Sequence, residues 1–85
     1  MAGEGSGALL GAAMEAVGNQ LSENDPPETA QTLERLMEEG YSREDALALI
    51  ARAMAIEIYE VVKTGLSYNQ ERYLGALNSL PELPE

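Results

Sequence analysis

The chain holds no His and no Cys, and its single lysine is Lys63. Acid–base or nucleophilic work would therefore fall to carboxylates, hydroxyls, four tyrosines and that one amine, and none of these stands at the spacing of a triad or a catalytic dyad. Glu57 and Glu60 lie near Arg52 in one helical stretch, where a buried carboxylate of raised pKa would be a functional group. Ion pairing or plain exposure is the simpler reading, because Glu is seldom buried unless paired. Glu34, Glu38 and Glu39 crowd toward Gly40 at a helix C-terminus, where negative charge is mildly unfavourable and a divalent cation could gather them. They read as solvated surface. Asn24-Asp25 lacks the alternating Asp pattern and Gly of a calcium loop and reads as a turn and cap. The expectation is no catalytic residue, no metal site and no cofactor, hence no enzyme.

The elements that must position these side chains belong to one domain. Eighty-five residues suit a fold that buries roughly 60% of the surface of its unfolded chain and is stable by about 5 kcal/mol. Fifteen acidic residues against five basic ones give a net charge of -10, which repels phosphate backbones and anionic headgroups. Neither nucleic acid nor a membrane is an expected partner. The opening Met1 to Gly7 lacks the basic region of a signal peptide, no apolar run is long enough to span a bilayer, and the absence of Cys suits a reducing compartment. A soluble cytoplasmic protein is expected.

Helical periodicity predicts an all-α fold, a compact bundle of four helices with tight corners, over residues 8–23, 26–39, 42–64 and 67–80. Residues 1–7 are expected as a flexible tail, 8–80 as the domain and 81–85 as an extended tail. Leu10, Met14, Val17 and Leu21 place the first apolar face. Asp25 before Pro26 marks the second start, with Ala30, Leu33, Leu36 and Met37 as its stripe and Gly40 past its end. Ser42 and Asp45 frame the third helix, Tyr41 is expected to staple over Ala46, and Gly65 closes the helix. Leu47, Ile50, Met54, Ile58 and Val61 form its apolar side. Ser67 with Gln70 is the expected capping box of the fourth helix, whose stripe is Tyr73, Leu77 and Leu80, ended by Pro81. The four tyrosines suit flanks of a core that has no Phe or Trp.

Two short-motif readings fail on these residues. None of the serines has the Asp-Ser-Leu setting of an acyl carrier protein. The corner Leu36-Met-Glu-Glu-Gly-Tyr looks like the loop of ubiquitin-associated domains, but Glu39 stands where they place Met and the following helix is about twice too long. A broader likeness runs from about Leu9 to Pro84, carried by Asn19-Gln-Leu21, Asp25-Pro-Pro-Glu28, Leu33-Glu-Arg-Leu36, Gly40-Tyr-Ser-Arg-Glu-Asp-Ala46, Glu57-Ile-Tyr59 and Tyr73-Leu-Gly-Ala-Leu77. On these residues the chain resembles a bacterial family of uncharacterised helical domains that occur alone or at the ends of longer proteins. Many similar sequences place histidines in the first and third helices, which implies metal binding there. The matching positions here are Leu10, Met14, Glu44 and Ala48, so the resemblance implies a fold without the nitrogen ligands.

Leu49 and Ile56, seven residues apart, form a second apolar stripe on a helix that already faces the core, on the side that also carries Asp45, Arg52 and Lys63. Either the first or the fourth helix covers them, or they are an interface. The expected function is a protein-interaction or self-association module, with a protein partner or a second copy in a homodimer. The alternatives are a degenerate divalent-metal-binding domain and a purely structural monomer.

Overall fold

Proline chemistry sets the first corner. The structure, a computed structural model, describes residues 2–82 and the side chains of residues 7–82. Helix α1 spans Ala2–Glu23 and α2 spans Pro27–Glu38. Asn24 at φ 52° makes the left-handed turn that ends α1, a conformation Asn tolerates, and the Asp25 amide returns to the Gln20 carbonyl at 3.0 Å. Asp25 was the expected cap of α2. Instead Pro26 is the N-cap, extended at φ -77°, ψ 150° with no side-chain cap bond, and Pro27 opens the helix. A residue that precedes proline is pushed out of the helical region, so Pro27 holds Pro26 extended and delays the start by one residue.

The remaining boundaries follow local rules. Helix α3 spans Arg43–Thr64. Ser42 Oγ accepts the Asp45 amide at 3.0 Å, and Gly40 at φ 108° and Gly65 at φ 74° take the left-handed positions that favour glycine. Helix α4 spans Gln70–Ser79, three residues later than expected at its start. Asn69 rather than Ser67 caps it, its Oδ1 accepting the Arg72 amide at 3.0 Å. A carboxylate from α3 holds the Asn69 amide and so fixes where the helix begins. The segment expected as a tail is helical from Ala2 onward, because no proline interrupts the ladder before Ala8. Pro81 and Glu82 form a turn, and Met1 and residues 83–85 lie outside the described residues. Replacing Ser42 by Ala removes the α3 cap. The expected cost is about 1 kcal/mol, a fall of about 5 °C in a thermal melt followed by circular dichroism.

All four helices meet in one core of Val17, Leu33, Leu36, Ile50, Met54, Tyr73, Leu77 and Leu80, with alanines at 13, 46, 51 and 53. Among the described residues there is no strand, and the fold is the expected all-α bundle. One face is rotated. Leu10 and Met14 are 42% and 45% exposed, and α1 instead turns Ala13, Ala16 and Val17 inward with Leu21 alongside. The alanines of α1 and α3 let those two backbones approach, and α1 packs most extensively on α3. Leu47, Ile58 and Val61 are half-buried rather than central, and Met37 is exposed. Tyr41 is half-buried against the core beside α3.

Candidate functional site

Two polar clusters lock the helices around this core. Glu57 is only 2% exposed and accepts three hydrogen bonds, from Arg72 Nε and a second Arg72 guanidinium nitrogen at 2.8 Å each and from the Asn69 amide at 3.0 Å. The Arg72 bonds hold its carboxyl below the ordinary value, burial works against them, and the Asn69 amide adds to the lowering. Arg72 itself is half exposed, so the carboxylate is covered by its own partner rather than sunk in the core. Position 57 falls three residues after Met54 and seven after Ile50, on the core face of α3, which is the signal that marks Glu57 as buried. The expected pairing near Arg52 is not made: Glu57 pairs with Arg72 across to α4.

The second cluster joins three helices. Tyr73 is buried and donates from its hydroxyl to Gln20 Oε1 at 2.8 Å, and Thr29 Oγ1 donates to the same oxygen at 2.8 Å. Burial raises the Tyr73 pKa. Tyr68 stacks at a tilt with ring centres 6.2 Å from Tyr73, and its hydroxyl is pushed up to about 12 by burial, with Tyr73 and Glu57 adding to the shift. Each buried polar side-chain atom among the described residues has a partner, so neither cluster holds an idle group.

The acidic corner is dispersed. Glu34, Glu38 and Glu39 are exposed, and Glu39 is paired with Arg35 at 2.8 Å. Among the described residues, no three His, Cys, Asp or Glu side chains gather as a metal group.

The outward side of α3 carries the remaining candidates. Leu49 is half-buried, packs against the core, and lines an open depression of about 250 Å³ with Tyr41, Asp45, Ala48 and Arg52. Ile56 is half-buried in a second groove of about 360 Å³ between α3 and α4, floored by Ala53, Gly75 and Ala76. The expected pair is therefore split between two hollows rather than joined in one patch. Beyond Ile56 the apolar exposure rises. Tyr59 is 51% exposed and Val62, three residues on, 77%, and Leu66 just past the end of α3 is 68% exposed. Lys63 lies 5.8 Å from the Tyr59 ring centre. None of these three is among the interface residues expected from the sequence.

No known protein family, curated protein or solved structure matches the chain. Among the described residues, no helix is long and apolar enough to cross a membrane.

Proposed function

We propose that this chain is a non-enzymatic helical interaction module of the cytoplasm that binds protein along the outward side of α3. The observation that carries this reading is the group of Tyr59, Val62 and Leu66 at and just past the end of α3, three large apolar side chains left more than half exposed, with Tyr59 one turn from the half-buried Ile56. Each exposed apolar group forgoes transfer free energy of about 25 cal/mol per Å², and contiguous exposure of this kind marks interfaces more than singly scattered residues do. Both polar clusters serve the fold: their groups are mutually satisfied, and the groove beside Glu57 is open to solvent.

Benzoylphenylalanine in place of Tyr59, activated by light in intact cells, tests the reading. The expected result is one protein adduct of defined mass at Tyr59 that is absent when the probe replaces Gln31 on the exposed side of α2, and that disappears with Ile56→Glu. Ile56→Glu should cost about 1 kcal/mol or less while the chain stays helical. Equal labelling at both positions, or none at Tyr59, would overturn the assignment.

A further inference from the structure

We infer that the partner on this face is a second copy of the chain, with the two α3 helices packed antiparallel about a two-fold axis through Ile56. This rests on the interaction reading above and names its partner. Arg52, Ile56 and Glu60 stand at intervals of four residues and so form one ridge on α3. Under an antiparallel two-fold, a residue n positions before Ile56 meets the residue n positions after it. Arg52 then faces Glu60 of the second copy, and Glu60 faces its Arg52, giving two ion pairs from one sequence ridge. A parallel pairing would set Arg52 on Arg52 and Glu60 on Glu60. The charge order selects the antiparallel arrangement.

The same register matches knobs to hollows. Tyr59 comes opposite Ala53, on the small-residue floor of the groove, where a Cβ added at Gly75 would meet nothing within 4 Å. Lys63 comes level with Leu49, at the edge of the depression beside Tyr41. Arg52 and Glu60 are thereby paired between copies.

Electrostatics favours a copy over a foreign acidic or basic surface. The chain carries -10 overall, yet this face holds Arg52 and Lys63 against Asp45 and Glu60. Of the five basic residues, Arg35 and Arg72 are used in ion pairs within the chain. Among the described residues no ion pair uses Arg52 or Glu60, although Glu60 lines the groove beside Arg72 and acts on its charge. The acid excess lies elsewhere, and at physiological salt it is screened beyond about 8 Å. Two copies can therefore meet here without the repulsion their total charge suggests.

Sedimentation equilibrium from micromolar to millimolar chain should show a dimer. Arg52→Glu and Glu60→Arg should each weaken it by roughly tenfold or more, and the double swap should restore it, with circular dichroism confirming that each variant is folded. Because the chain has no Cys, Ile56→Cys should oxidise to a covalent dimer while Gln31→Cys stays monomeric. A monomer throughout, or a dimer that the double swap does not restore and Ile56→Cys does not trap, would overturn the inference. If the chain is monomeric but the probe at Tyr59 marks a different protein, the second copy is refuted and the interaction reading stands. If it is monomeric and Tyr59 captures nothing, both fall.

Discussion

Replacing Tyr73 by Ala is expected to leave little folded protein at 25 °C. Among the described residues the ring is the largest fully buried side chain, and truncating a buried aromatic removes its transfer free energy and leaves a cavity, a loss of about 3–5 kcal/mol. Against a total of about 5 kcal/mol for a domain of this length, that is most of the stability. The position also ties the tertiary structure together, since its hydroxyl on α4 meets Gln20 of α1 and lies 3.4 Å from Thr29 of α2. Tyr73→Phe separates the two contributions. It keeps the ring and removes one bond to an oxygen that Thr29 still serves, so the expected cost is about 1 kcal/mol. Urea denaturation of the three proteins measures both numbers. Equal losses in Tyr73→Ala and Tyr73→Phe would show that the hydroxyl, not the packing, dominates.

Tyr73 also shows how far the sequence could be read. Its place on an apolar stripe with Leu77 and Leu80 was legible, because buried leucines at helical spacing allow few alternatives. Its polar partners were not: Gln20 is 53 residues away, and nothing local announces such a contact. The same distinction runs through the helix ends. Ser42, Gly40 and Gly65 act within a few residues and sit where expected, whereas the start of α4 depends on a carboxylate from α3 and moved from Ser67 to Asn69. The α1 face failed for another reason. Leu10 and Met14 offered the larger side chains, but a rotation that buries Ala13 beside Val17 brings α1 closer to the alanines of α3. Size ranked the candidates wrongly because close backbone packing rewards small residues.

The α3 flank lies between these cases. Leu49 and Ile56 were visible as a stripe with two explanations, and the monomer covers part of both side chains and leaves a hollow beside each. Tyr59 is expected among the tyrosines that flank the core, and nothing local marks Val62 or Leu66 as exposed. Only the burial pattern distinguishes them from neighbours such as Ile58 and Val61.

Glu57→Ala should detach the start of α4. A helix of 10 residues is marginal by itself, so α4 depends on what pins it. The carboxylate supplies three of those pins, through Asn69 and twice through Arg72. Hydrogen bonds to charged groups are each worth about 1.5–3 kcal/mol when buried, but Arg72 is half solvated, so the whole set should be worth only about 2 kcal/mol. Glu57→Gln, which retains an acceptor for the Asn69 amide, should lose about half as much. The pH dependence has a definite sign. The folded pKa of Glu57 lies below the ordinary 4.5, so its contribution is complete above pH 4.5 and disappears as the pH falls through the folded value. Protonating the other carboxylates relieves the repulsion of a chain at -10, but this acts on wild type and Glu57→Gln alike. The difference between their thermal midpoints therefore isolates Glu57. It should be constant from neutral pH to pH 4.5 and shrink below that point. A difference that stays constant or widens in acid would show that Glu57 does not hold α4 as a carboxylate.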